Sequence, residues 1–389
     1  MNEHVEPAQY NSLKRAEPSL PARWYYDDEH YRQELTRLWY RNWVYVCRSS
    51  ALTEPMSFRT LRIGDQSVIV VRDGESNLQA YHNTCPHRGS QLCEATSGRL
   101  GSKLLVCPYH QWSFAADDGR LVRVSSFAEP EGFCKSDHGL YKVALAEWRG
   151  SVFVNLNPEA IWGSEAAFQR PPDIFERFPL EAMVVGETWR KEISCNWKSF
   201  WENFNECLHC PNVHPELSDL VPLYSRRIID PKDVPDWTQF EGSDDPRYRG
   251  GLRPGAETWS SDSSAQEHLI STLTEDGFAR GQAYASTWPS MFIGGYADHV
   301  RIVRLLPLGP ERIELQAEWL FEPETLADSR YDKSNVVEFA KLVMEQDGRA
   351  CEVNQKGLHA LPFKQGVLMP EEYLLKRFHD WVRNGLTLE

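Results

Sequence analysis

Two short cysteine–histidine pairs constrain this chain most. Cys85-Pro86-His87 and Cys107-Pro108-Tyr109-His110 each offer one thiol and one imidazole, and residues 88–106 separate them. The pairs can share a metal site only if two loops meet side by side, which strand ends of a small sheet allow. The surrounding sequence agrees. Phe58–Ile63 and Ser67–Arg72 alternate with the period of two expected of strands. Asp73-Gly74 is a hairpin turn signal, and Leu78–His82 resumes the sheet. Turn residues recur at Gly98, Gly101 and Asp118-Gly119, and a strand at Ser151–Leu156 closes the region. An all-β domain is therefore expected at 41–157.

The donor set admits two metal centres. A tetrahedral zinc site uses two cysteines and two histidines. A Rieske [2Fe-2S] centre uses the same four groups, thiolates on one iron and imidazoles on the other. Pro86 and Pro108 would stiffen the loops. Backbone donors, or the Tyr109 hydroxyl, could bond the sulfurs and tune them. Cys93 reads as a packed thiol, and Cys47, Cys134, Cys195 and Cys351 as core.

Composition narrows the class. A chain of 389 residues accommodates two or three domains, and 41% apolar with 25% charged residues is ordinary for a soluble globular protein. The net charge of −14 argues against nucleic acid and anionic membrane as partners. No apolar run is long enough to span a bilayer. Met1–Lys14 lacks a secretory pattern, so the nine cysteines are expected to be reduced thiols and metal ligands in a cytoplasmic compartment.

The rest of the chain reads as mixed, giving an α+β protein. Residues 1–22 look like a mobile arm, followed by a helix over Asp27–Trp43. Residues 1–40 are expected to form an N-terminal arm and helix packing on the catalytic domain at 158–389. That domain shows strands at Ala182–Ser194, Val300–Leu306 and Ile313–Phe321. Helices are expected at Asn196–Cys210 and Ser334–Gln355. Residues 226–282, rich in Asp, Pro, Gly and Ser, suggest a long loop or lid.

A second donor group lies in Trp201–Pro215. Glu206 and His209 are three apart, so on a helix they share a face. Pro211 is expected to break that helix near Cys210 and swing His214 back toward His209. Two imidazoles and a carboxylate with open positions form the facial triad of non-haem Fe(II) oxygenases. Glu206 could supply the carboxylate. So could Asp347, which follows Val336, Ala340 and Val343 along one helical stripe. A carboxylate there needs a metal or a partner, and an arginine such as Arg349 or Arg301 is the alternative.

Together these motifs carry a resemblance. Cys-x-His, Cys-x2-His, Glu-x2-His-x4-His and Asp347, followed by Cys351-Glu352 and Gln355-Lys356-Gly357-Leu358, resemble in order the large (α) subunit of a Rieske-type non-haem iron oxygenase. The resemblance implies an all-β Rieske domain and a helix-grip catalytic domain. It implies that Cys85, His87, Cys107 and His110 hold the [2Fe-2S] cluster and that His209, His214 and Asp347 hold mononuclear Fe(II). Glu206 would then bridge His209 to a cluster histidine of a neighbouring subunit, which implies a homotrimer. It also implies O2 and a separate NAD(P)H-dependent flavin or iron-sulfur reductase, with or without a ferredoxin. Glu206, where many ring-dihydroxylating relatives have Asp, resembles the branch acting on choline, carnitine, glycine betaine and proline betaine. N-demethylation of a quaternary ammonium compound is therefore expected. An aromatic-ring or aromatic-acid hydroxylase is the alternative, and a non-enzymatic zinc-binding, ligand-binding protein is a third reading. A quaternary ammonium head is recognised by aromatic faces. Trp201, Phe204, Tyr224, Tyr284, Trp288, Phe292, Tyr296 and Trp319 are candidates.

Overall fold

The computed structural model describes residues 9–163, 167–169, 172–273 and 282–387. The chain divides into two compact units, one of Leu35–Pro171 with Ser286–Met291, the other of Met1–Glu34, Pro172–Ala285 and Phe292–Glu389.

The first unit is all-β. Its four-stranded sheet runs Leu78–His82, Gln66–Arg72, Ser57–Ile63, Ser97–Arg99, antiparallel throughout. The strand Gln66–Arg72 buries Val68, Ile69, Val70 and Val71. Two three-stranded sheets complete it, one of Leu104–Val106, Ser113–Ala115 and Leu121–Arg123, the other of Ala144–Trp148, Ser151–Asn155 and Val44–Arg48. One apolar cluster joins Ile69, Val71, Tyr81 and Phe114 to Cys85 and Cys107. The two motif loops thus hang from a common core.

The second unit sets a long helix, Ser334–Leu358, against a five-stranded sheet. The sheet order is Val184–Ile193, Arg312–Phe321, Val300–Gly309, Met291–Gly295, Ala283–Thr287. The helix buries Val336, Ala340, Val343, Met344, Gly348, Cys351 and Gln355, the stripe its sequence spells. Gly348 decides how closely it can approach. A Cβ there would lie 3.0 Å from Ile193 Cδ1. Lys191 with Glu345 and Lys333 with Glu187 tie the same strand face to the helix.

Two expectations need correction, and one helix was not expected. Glu17–Pro21 is a strand paired antiparallel with Gln365–Leu368, not part of a mobile arm. Pro18 and Pro21 are tolerated because the ladder has only two strands and their missing N–H groups can face outward. A C-terminal helix, Tyr373–Thr387, buries Leu374, Phe378 and Val382 four residues apart, a period legible in the sequence but not read there. The helix expected over Asn196–Cys210 stops at Phe204. Pro211 sits in the first turn of a new short helix, Cys210–Val213, where a missing N–H costs nothing.

The first of these helices is anchored by buried charge. Lys198 donates to Glu34 Oε1 at 2.5 Å and to the Trp24 carbonyl at 2.9 Å. Trp197 Nε1 donates to Glu34 Oε2 at 2.7 Å, and His30 lies 3.1 Å from the same carboxylate. Glu34 and Lys198 are fully buried. Burial pushes the Glu34 carboxyl up, but Lys198 and His30 outweigh it and hold it below its ordinary range. Glu34→Ala leaves an uncompensated ammonium and should lower the stability of this unit by about 3–5 kcal/mol, read from the denaturant midpoint. The double change Glu34→Leu with Lys198→Met should recover most of that loss.

Candidate metal centres

The two motif loops of the all-β unit share one backbone scheme. Cys85 N–H donates to Ser90 O and its carbonyl accepts from Gly89 N–H, at 2.8 and 2.9 Å. Cys107 N–H donates to Trp112 O and its carbonyl accepts from Gln111 N–H, at 2.8 and 3.0 Å. Both loops turn through a left-handed residue, Gly89 at φ +76° and Gln111 at φ +58°. The result is two matched hooks, each ending in a thiol and an imidazole.

The side chains converge accordingly. Both sulfurs are buried and within hydrogen-bonding reach of one another. The His87 and Arg88 amides favour the charged form of the Cys85 thiol, and the Tyr109 and His110 amides that of Cys107. For Cys107, burial pushes the thiol up, but those amides outweigh it and hold it below its ordinary value. Burial pushes the Cys85 thiol up to about 11. The His87 and His110 rings meet edge to face at 4.7 Å. His87 stacks on Trp112 at 4.5 Å, which fixes its plane. His110 Nδ1 is buried without a hydrogen-bond partner. Two thiols, two imidazoles and an orphaned ring nitrogen fit a [2Fe-2S] cluster. Tyr109 lays its exposed ring against His110 at 3.7 Å.

In the other unit, His209, His214 and Asp347 bring three ligand atoms within 4.8 Å of one another. Asn196 caps the helix Trp197–Phe204, and its own N–H donates to Gln355 on the long helix at 2.9 Å. That bond sets the helix leading to His209 against the helix carrying Asp347. The chain turns at Asn205, and the Leu208 N–H donates to Glu206. Glu206 Oε1 then meets His209 Nδ1 at 2.6 Å. The Nε2 atom of His209 is left facing Asp347 at 3.5 Å. His214 is arranged alike, with Nδ1 at 2.7 Å from Gln346 Oε1 and Nε2 at 2.8 Å from Asp347 Oδ1. Asn203 Nδ2 donates to the same oxygen at 2.5 Å. Each imidazole thus has its outer nitrogen held by an oxygen and its inner nitrogen turned inward, the arrangement that orients metal-binding histidines.

The open alternatives close on this geometry. Asp347 meets the histidines, whereas Arg349 lies with Glu352 and Arg301 with Tyr296. Glu206 is on the far side of the His209 ring from Asp347. It reaches His209 through a turn and not through a shared helical face. Asn203 and Gln346 were missed by sequence reasoning. Gln346 is adjacent to Asp347, but nothing in a sequence says that an amide will reach a particular ring nitrogen.

Two readings of the cysteines change. Cys207 and Cys210, flanking His209, form a disulfide, where all nine had been expected as thiols or metal ligands. The tight turn that aims His209 brings their Cα atoms to 4.9 Å. Cys134 is exposed, not core.

Two family models match the chain. The Rieske [2Fe-2S] domain family matches residues 42–134, and the ring hydroxylating alpha subunit (catalytic domain) family matches residues 180–387, more than half of the chain. The chain belongs to the ring-hydroxylating alpha-subunit family. It is a Rieske-type non-haem iron oxygenase, with a [2Fe-2S] domain and a mononuclear-iron catalytic domain, and the zinc reading falls. It is 27% identical to the glycine betaine monooxygenase oxygenase subunit of Chromohalobacter salexigens over 95% of this chain and 86% of that protein. It is 27% identical to the chloroplastic choline monooxygenase of Arabidopsis thaliana over 97% of this chain and 84% of that one. The quaternary ammonium Rieske monooxygenase CntA, solved with L-carnitine, shares the fold at a TM-score of 0.70 and 19% identity, covering 94% of this chain and 95% of its own. Among the described residues no helix is long and apolar enough to cross a membrane.

An aromatic wall adjoins the segments that carry His209 and Asp347. Trp259 packs against Tyr296 at 5.2 Å and against Tyr224, Tyr284 and Phe339 at 6.4 Å each. The same buried cluster holds Cys207 and Cys210, and Val343 one turn before Asp347. Trp259 and Phe339 were not among the expected rings, and Trp288 falls in the other unit.

The metal-free site carries a testable charge. Burial pushes the His209 imidazole down, but Asp347 and Glu206 outweigh it and raise its pKa to about 9. Below that pH a divalent metal must displace the proton. Apparent Fe(II) affinity of the metal-free protein should therefore rise by up to about tenfold per unit between pH 6.5 and 9, then level off, in anaerobic titrations.

Proposed function

We propose that this oxygenase N-demethylates a small quaternary ammonium compound such as glycine betaine. The carrying observation is the wall of Tyr224, Trp259, Tyr284 and Tyr296 beside the His209, His214 and Asp347 donors. A cation without hydrogen-bond donors on its head is recognised by such faces. The named activities of the glycine betaine and choline relatives support the same class.

In this reading His209, His214 and Asp347 hold the mononuclear iron, and Cys85, His87, Cys107 and His110 hold the cluster. Residues 41–157 serve electron transfer and 158–389 serve oxygenation, with 1–40 as the N-terminal arm. Bound iron supplies reductive activation of O2. In balance, one oxygen atom enters an N-methyl C–H bond, and the other leaves as water with two electrons and two protons. The resulting N-hydroxymethyl group releases formaldehyde and a proton and leaves a tertiary amine. The electrons come from a separate NAD(P)H-dependent reductase.

The protein's own residues do the positioning. Glu206 and Gln346 hold the two rings so that both Nε2 atoms face inward. Glu206, bonded to His209, is also the relay to a cluster histidine of the neighbouring subunit in a cytoplasmic homotrimer. The aromatic wall seats the head and keeps water from the reacting methyl group.

Formaldehyde release is the test. The enzyme, supplied with a reductase and NADH under air, should release it from glycine betaine, carnitine or choline and not from benzoate. Release from no quaternary ammonium compound sinks the proposal. Three substitutions check the residue roles by EPR and metal analysis. Cys107→Ser should lose the rhombic cluster signal and keep the mononuclear iron. Asp347→Ala should do the reverse. Glu206→Ala should keep both metals and lose about 10- to 100-fold in turnover.

A further inference from the structure

The catalytic sheet carries a guanidinium that the reaction as described does not use. Arg301 lies on the strand Val300–Gly309 and is only 5% exposed. It stands opposite Trp319, which stands opposite Glu187, so the three share one face of the sheet. Lys333, just before the long helix, bonds Glu187 on that face at 2.9 Å. Further along it, Ile193 meets Gly348, next to Asp347. Arg301 therefore stands on the side of the sheet that the Asp347 helix covers.

Among the described residues its polar contact is a tyrosine and not a carboxylate. The Nη2 group donates to the Tyr296 hydroxyl at 2.8 Å, and the guanidinium sits 5.5 Å from the centre of that ring. The Tyr296 and Tyr284 hydroxyls are 3.1 Å apart. Arg301 Nε is buried with no hydrogen-bond partner. Among the described residues no carboxylate forms an ion pair with it. A buried charge without a partner is costly, and a planar fork with a free N–H matches a carboxylate. The neighbours of Arg301, Tyr296 and Tyr284, belong to the same aromatic cluster as Val343, one turn before Asp347.

We propose that Arg301 is the anion-binding end of the substrate pocket, so that the enzyme selects a zwitterion. The quaternary ammonium head faces the aromatic rings and the carboxylate pairs with Arg301. This rests on the demethylase reading for the head and on Arg301 alone for the carboxylate. It separates glycine betaine, which bears both groups, from choline, which has a hydroxyl where the carboxylate would be.

The test compares the full-length holoenzyme with Arg301→Gln and Arg301→Lys. Dissociation constants for glycine betaine, choline and benzoate are measured by calorimetry, formaldehyde release gives KM and kcat, and thermal midpoints and iron content check folding. The wild type should prefer glycine betaine to choline. In Arg301→Gln the glycine betaine Kd and KM should rise by about thirtyfold or more, as for one half of a buried charge pair. Choline should change by less than about threefold, and Arg301→Lys should restore part of the loss. An unchanged betaine-to-choline ratio in a folded Arg301→Gln overturns the proposal and leaves the demethylase reading intact. If benzoate alone binds, and binds more weakly to Arg301→Gln, the zwitterion assignment is overturned together with the demethylase reading. Arg301 would then survive only as a carboxylate anchor.

Discussion

The approach of two imidazole Nε2 atoms to one carboxylate is the constraint around which the catalytic unit is arranged. Asp347 stands beside a buried helical stripe, where a carboxylate needs compensation. Burial pushes it up, but His209 and His214 outweigh that and hold it well below the usual carboxylate range. Much of the local architecture serves this meeting. Gly348 lets the helix close on the strand. Asn196 and Gln355 fix the neighbouring helix, and the turn before Pro211 aims His209.

The two histidines are oriented from behind. Glu206 and Gln346 each take an outer ring nitrogen, which leaves the inner ones no choice of direction. The all-β unit reaches a comparable result by other means. There the hooks are made by backbone hydrogen bonds within each loop. One centre is thus organised by tertiary side-chain contacts, the other mostly by local loop geometry. The difference matters for sequence reading, because local geometry leaves motifs and tertiary contacts do not.

That contrast explains what was legible. Four strands of the all-β unit, Ser57–Ile63, Gln66–Arg72, Leu78–His82 and Ser151–Asn155, are readable within a residue or two, because alternation and turn residues act over short distances. The long helix showed its stripe for the same reason. The helix before His209 was overextended because Pro211 was read as a stop when it stands in the first turn of the next helix. Glu17–Pro21 was missed because its partner strand lies hundreds of residues away and the pairing leaves no periodic signal. Trp259 sits in a Gly-, Ser- and Asp-rich stretch that reads as loop, and only its packing shows it to be part of the wall.

The sequence by itself determined the donor inventory: two Cys–His pairs, a Glu-x2-His-x4-His run and an acid on a buried stripe. These follow from residue type and spacing, which fix chemistry and local conformation. The tertiary structure alone decided which acid meets the two histidines, because Glu206 and Asp347 are equal candidates until a distance is known. It also decided that Arg301 lies beside the aromatic wall and, among the described residues, pairs with no carboxylate. Burial and pairing are properties of packing between distant segments, and no spacing in the chain records them.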